Sequence, residues 1–245
     1  MAANNLLDDI DVELHHFNQL YSSDNCAYYS FENVNKLKKC DKVDFSVLNC
    51  NIRSLAANYD TLVSELDLAN FKFDVLCLTE TWLTFDTKDI FQINGYQSYH
   101  NIRNDGRCGG GVAVIVQDSF ECSPLTEISR STPDIECLFI EIVRGKTKIL
   151  LATVYRPPNS CHRSFLEIFE ESLNSVVIQS YCEVLICGDF NYNLFLSENI
   201  NVMNFLNCFS SYSLMPLITN ATHVTDNSCT LIDNIFTTKS IESCF

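Results

Sequence analysis

Seven polar side chains stand where apolar runs end: Asn49 and Asn51 in LNCNIR, Glu80 in DVLCLTE, Tyr155 in KILLATVY, Asp189 and Asn191 in VLICGDFNYNL, and Asp233 in TLIDNIF. On a strand, side chains two apart point the same way. Asn49 and Asn51 therefore share a face, and so do Asp189 and Asn191 if strand geometry persists through them. A carboxylate suits the handling of water or of a cation, and an amide two residues on can hold an anion without repelling it. Each residue alone reads as easily as an ordinary strand end, because Asn and Asp bond to local backbone in turns, and Tyr155 could simply pack its ring and bond its hydroxyl. The set together is what a site on the rim of a sheet looks like.

The elements that must position these groups are short apolar runs bounded by Gly, Asn, Asp and Pro. DFSVLNCNI, FDVLCLTET, GGGVAVIV, CLFIEIV, KILLATVY, VLICGDF and TLIDNIFT read as strands. CLFIEIV and KILLATVY, joined by RGKT, predict an antiparallel hairpin. RSFLEIFEESLNSVVIQSY repeats apolar residues at three- and four-residue steps and predicts a helix with one buried face. YDTLVSELDLANF and NVMNFLNCFSSYSL are two further helices. The pattern implies mixed sheets with helices packed outside them. GGGVAVIV lacks the Gly-Lys-Ser/Thr ending of a nucleotide-binding loop and reads as a tight turn entering a strand.

A chain of 245 residues, 47% hydrophobic, fits a single domain with a tail, and the division falls at residues 1–43, an acidic, mostly flexible tail, and 44–245, the domain. No apolar run is long enough to span a membrane, and the first residues lack the pattern of a secretory signal, so an intracellular protein is expected. Thirteen cysteines scattered without a C-x-x-C pair read as reduced core residues. The net charge of −15 excludes affinity for nucleic acid built on a broad basic surface. It does not exclude a nuclease, whose acidic centre takes a metal.

LNCNIRSL, LCLTETWL, GGGVAVIV, TVYRPP, LICGDFNYNL and TLIDNIF, in that order, resemble the endonuclease/exonuclease/phosphatase superfamily, and most of all the apurinic-type endonuclease domain of non-LTR, jockey-like retrotransposons. The resemblance covers about residues 44 to 240 and implies an α/β fold, a DNase I-like four-layer α/β/β/α sandwich of two mixed sheets. It implies a Mg²⁺-dependent phosphodiesterase, with Mn²⁺ as a substitute. Glu80 would bind the metal, with Asn51 near it. Asp189 would orient or deprotonate the attacking water, Asn49 and Asn191 would hold phosphate and water in line, and Tyr155 would donate to a phosphate oxygen. Asp233 would orient a histidine from a later serine-aspartate-histidine stretch. No Asp-His dipeptide occurs in this sequence, so a domain lacking its last strand, inactive or weakly active, is expected. His223 is a possible substitute read first as a loop residue, and Arg156 reads equally as a DNA contact or a surface arginine. The implied partners are DNA and a reverse transcriptase domain of the parent element, with no membrane, in a monomer placed in the nucleus. Rival readings are a hydrolase of another phosphate ester in the same superfamily and a catalytically silent binding domain.

Overall fold

The computed structural model describes residues 26–34, 45–176 and 178–239. Four strands, β1 (Val47–Asn51), β2 (Val75–Thr79), β3 (Tyr96–Asn101) and β4 (Val112–Gln117), form one sheet in the order β1-β2-β4-β3. The second sheet is built from β5 (Glu121–Pro124), β6 (Arg130–Ser131), β7 (Glu136–Arg144), β8 (Thr147–Tyr155), β9 (Glu183–Asp189), β10 (Met215–Pro216) and β13 (Asp233–Thr237). Its order is β10-β13-β9-β8-β7-β5, with β6 also on β7. A small hairpin, β11 (His223–Thr225) and β12 (Ser228–Thr230), stands apart. Both sheets are mixed: β1–β2 and β8–β9 run parallel, their neighbours antiparallel.

The helices are α1 (Phe31–Val34), α2 (Leu55–Ala69), α3 (His162–Asn174) and α4 (Ile200–Ser211). The alternation of each strand decides what they cover. Leu76, Leu78, Ala113 and Ile115 face outward onto Leu55 and Leu62 of α2. Val75, Cys77, Val112 and Val114 face inward onto Leu138, Ile140, Leu151, Leu185 and Cys187 of the other sheet. The outer face of that sheet, Leu150, Ala152, Val154 and Ile186, is covered by Phe165 and Phe169 of α3 and Phe205 and Phe209 of α4. The result is the α/β/β/α sandwich. Ser54 starts α2 by accepting from the Ala57 amide, and Asn70 ends it in the left-handed conformation; Asn199 caps α4 by accepting from the Asn201 amide.

All seven predicted strands are present, as is the β7–β8 hairpin, whose turn is Gly145–Lys146. The helix predicted over residues 163–181 is shorter: α3 stops at Asn174, and a 3₁₀ turn at Ile178–Ser180 follows. Only four of the described cysteines, Cys77, Cys137, Cys187 and Cys208, are buried, so the expectation of core thiols holds for a minority, although all eleven described are free. Of the N-terminal 43 residues, 26–34 are described: the Tyr28 hydroxyl donates to the Ala221 carbonyl at 3.1 Å and the Asn220 amide to the Cys26 carbonyl at 3.2 Å. The rest of that predicted tail lies outside the described residues. No described helix is long and apolar enough to cross a membrane.

Candidate active site

Strand register gathers the polar ends. In the second sheet Glu136, Tyr155, Asp189 and Asp233 form one row across β7, β8, β9 and β13. Because directly paired residues point to the same face, all four share the inward face of Leu138, Leu151, Cys187 and Ile235. They stand where that face opens at the sandwich edge. Opposite them, β1 points Asn49 and Asn51 inward with Val47, and Glu80 follows directly on β2.

The two sheets are tied together here by Asn51. Its amide donates to Glu80 Oε1 at 2.8 Å and to Asp189 Oδ2 at 2.9 Å. Its own oxygen accepts from the Arg53 amide at 3.2 Å. Asn49 donates to the Gly188 carbonyl at 3.3 Å, while its side-chain oxygen is buried without a partner. Asp189 is 3% exposed. Burial first, and then the facing Asp233 carboxylate, push Asp189 up to about 7, against the pull of the Asn51 and Asn191 donors. Burial also raises Asp233, while the Thr222 hydroxyl and the charges of His223 and Arg53 hold it down. Burial, then Glu80 and Asp189, push the Tyr155 hydroxyl well above the usual phenol range, so it stays a donor.

The pairing expected of Asp189 and Asn191 on one strand face does not occur. β9 ends at Asp189, and Asn191 has φ 51° and sends its backbone N–H to Asp189 Oδ1 at 3.1 Å. A carboxylate capping the amide two residues on is turn chemistry, which replaced the strand alternation. Asn191 nevertheless stays beside the site, its side-chain amide donating to the Arg156 carbonyl at 2.8 Å. Arg53, Ser54, Glu80 and Trp82 also have positive φ values, so left-handed non-glycine residues gather at this rim. Such conformations cost about 1–3 kcal/mol each and persist where the surroundings enforce them.

Arg156 is neither a surface residue nor open to DNA. It is 6% exposed, its guanidinium stacked 4.1 Å from the Tyr192 ring centroid and donating to the carbonyls of Phe190, Asn191 and Ser160 at 3.4, 3.3 and 3.1 Å. It braces the turn after Asp189. Arg156→Ala is expected to lower stability by about 2–3 kcal/mol in urea denaturation. A loss within about 0.5 kcal/mol would show that the guanidinium does not brace this turn.

His223 is not a loop residue: it opens β11, paired with Thr230, and is half-buried rather than exposed. It follows Thr222, whose hydroxyl accepts from the Asp233 backbone N–H at 3.1 Å. Sequence reasoning also missed Arg53, exposed beside Asn51, and Trp82, whose indole N–H reaches Glu80 Oε2 at 3.3 Å. The only signal for Trp82 was its place two residues after Glu80.

Among the described residues no three His, Cys, Asp or Glu side chains form a ready metal cage. The Asn51 amide separates Glu80 from Asp189, which leaves Glu80 as a single half-buried carboxylate at the rim. That donor set does not suit zinc, which takes four close N or S ligands, and it fits a hard cation that keeps most of its waters.

The same arrangement of elements is found in known proteins. Over 126 residues the chain is 31% identical to the RNA-directed DNA polymerase from mobile element jockey of Drosophila funebris, an alignment covering 51% of this chain and 13% of that protein. The fold resembles the endonuclease domain of TRAS1, a telomere-specific non-LTR retrotransposon, with a TM-score of 0.61 and 15% identity, covering 78% of this chain and 83% of that one. It also resembles the AP endonuclease LMAP from Leishmania major, with a TM-score of 0.60 and 13% identity, covering 86% and 90% of the two chains. Residues 33–244 match the family as a whole, and the chain belongs to the Endonuclease/Exonuclease/phosphatase family.

Proposed function

We propose that this domain is a metal-dependent DNA endonuclease of the retrotransposon type, hydrolysing one phosphodiester to leave a 3′-hydroxyl. In the parent element that end would prime reverse transcription by a polymerase domain. The observation that carries the reading is the Asn51 bridge, which sets a buried Asp189 and a half-buried Glu80 on either side of one amide at the sandwich edge. This separates a carboxylate for water from a carboxylate for a cation.

Mg²⁺ or Mn²⁺ would be held by Glu80, with Asn51 beside it, and when bound supplies charge to stabilise the phosphate and its leaving oxygen. Asp189 orients the attacking water and takes its proton; a group held near neutrality suits a general base. Asn49 keeps a buried side-chain oxygen without a partner, an acceptor for a water O–H. Asn191 holds the phosphate without repelling it, and Tyr155 donates to an oxygen as charge grows there. Asp233 faces Asp189 and keeps its carboxyl protonation high.

Supercoiled plasmid incubated with the protein and Mg²⁺ should be converted to open circles, and EDTA or Glu80→Ala should stop it, by about 10³-fold for the variant. Nicking that survives Glu80→Ala would overturn the reading. Hydrolysis of inositol phosphates, sphingomyelin or an RNA tail by a folded protein that leaves plasmid intact would move it to another branch of the family.

A further inference from the structure

Trp82 is the only tryptophan of the chain, and 49% of it is exposed at the mouth of the site. A half-exposed indole is an uncommon use of the residue with the largest apolar surface. Its pose is fixed from several sides. The backbone N–H donates to the Gly110 carbonyl at 2.8 Å, and the residue is held at φ 54° between the buried Thr81 and Leu83. The indole N–H rests on Glu80 Oε2 at 3.3 Å. The ring lies against Gly109, where a Cβ would stand 3.2 Å from Nε1 and 3.7 Å from Cδ1 and Cε2. Gly109 has φ 80°, a conformation that side chains rarely adopt, so glycine both makes the turn and leaves room for the ring. An aromatic surface is thereby held rigidly beside the carboxylate that would serve the phosphate.

The charge of the chain says what such a surface is for. A chain of net charge −15 has few cations to draw in a polyanion, and near this site Arg103 is already paired with the buried Glu136. Arg53, exposed beside Asn51, supplies one cation at the rim, so much of the affinity must come from contacts that do not depend on phosphate charge. Stacking of a base on an aromatic ring is such a contact, and it tolerates any sequence because every base has a π-face.

We propose that Trp82 is the stacking platform for the nucleobase adjoining the phosphodiester that lies at Glu80 and Asp189, so that the site favours DNA able to unstack a base there. This rests on the endonuclease reading above. Closed duplex would be the poorer ligand, and a mismatched or single-stranded junction the better one.

The lone tryptophan is its own reporter. With Ca²⁺ replacing Mg²⁺ to limit turnover, a duplex oligonucleotide carrying a central mismatch should quench its fluorescence more than a fully paired duplex. An oligonucleotide with an abasic residue at the same position should bind, by anisotropy of an end label, with little quenching. Trp82→Ala should weaken binding of the mismatched duplex about 5- to 100-fold and raise KM more than it lowers kcat. Trp82→Phe keeps a ring but loses the N–H to Glu80, and should retain most of the affinity. Equal losses in both variants would assign Trp82 to the orientation of Glu80 and overturn the stacking role. Unchanged binding by Trp82→Ala in a protein that still nicks would also overturn it and leave the endonuclease reading standing. A folded wild-type protein that neither binds nor nicks any of these DNAs would remove both.

Discussion

Asp189→Asn is expected to stabilise the metal-free protein at pH 8 while removing nearly all of the proposed nuclease activity. The carboxyl is held at about 7 in the folded chain against an ordinary 3.8, chiefly by burial and then by Asp233. A raised carboxyl pKa means that the unfolded chain releases the proton first as pH rises. The contribution of Asp189 is therefore most favourable below about pH 4, declines as pH climbs toward 7, and is flat above that, a loss on the order of 4 kcal/mol. Asparagine is neutral throughout and of similar shape, although it forfeits part of one accepted hydrogen bond from Asn51 or Asn191. In EDTA the variant should melt about 5 °C above wild type at pH 8 and no higher than wild type at pH 4.5. Nicking in Mg²⁺ should fall by about 10²–10⁴-fold, the usual contribution of a positioned base. Equal destabilisation at both pH values would show that Asp189 is an ordinary hydrogen-bonding carboxylate with nothing stored in it. Adding Mg²⁺ to wild type at pH 8 should recover part of the difference, since a cation that binds only the folded state stabilises it by mass action.

How much of this was legible depended on whether a residue's role was decided by its neighbours in sequence or by the other sheet. Strands such as Val75–Thr79 and Val112–Gln117 are buried on both faces and read as continuous apolar runs. β3 was missed because its sequence, YQSYHN, is polar, and its partners are distant: Tyr96 donates to the Phe73 carbonyl, Gln97 to Phe120, and Asn101 to both Arg130 and Cys137. No local pattern announces a polar strand satisfied by tertiary hydrogen bonds. At the site, the identity of the polar strand ends was visible and the resemblance implied their grouping, but the contacts that make it were not, because they follow from the register Tyr155↔Asp189↔Asp233 and from the Asn51 bridge between sheets. Asn191 illustrates the limit of period-two reasoning: one left-handed residue after the strand end redirected it. Arg156 illustrates another, since TVYRPP gives no hint that Phe165 of the next helix and Tyr192 from beyond β9 close over its guanidinium.

The sharpest short motif, GDFN, can now be read atom by atom, and its first residue yields the largest stability effect. Asp189 is the proposed base, Asn191 makes the turn, and Phe190 is the anchor, its ring 5.2 Å from that of Phe205 and 5.4 Å from that of Phe236. Gly188 is there because β8 and β9 pass too closely for anything else. A Cβ at that position would lie 1.8 Å from the Val154 carbonyl oxygen and 2.8 Å from its carbon. The clash is with backbone, which cannot rotate aside as a side chain would, in the parallel pair Val154↔Gly188 at the centre of the second sheet. Overpacking a core with a methyl group usually costs about 1–3 kcal/mol because neighbours give way. Here the relief must come from separating two central strands, so Gly188→Ala should cost at least about 4 kcal/mol, a large part of the 5–15 kcal/mol typical of a domain. Urea denaturation should show an early or non-cooperative transition. Gly106→Ala, where the added carbon meets nothing within 4 Å but φ is +80°, should cost only about 1 kcal/mol. If Gly188→Ala unfolds cooperatively within about 1 kcal/mol of wild type, β8 and β9 are not held as closely as described. Whatever fraction remains folded should be less active than its abundance implies, because moving β9 carries Asp189 away from the Asn51 amide, and displacements of about 1 Å at a reacting group cost on the order of 10²-fold.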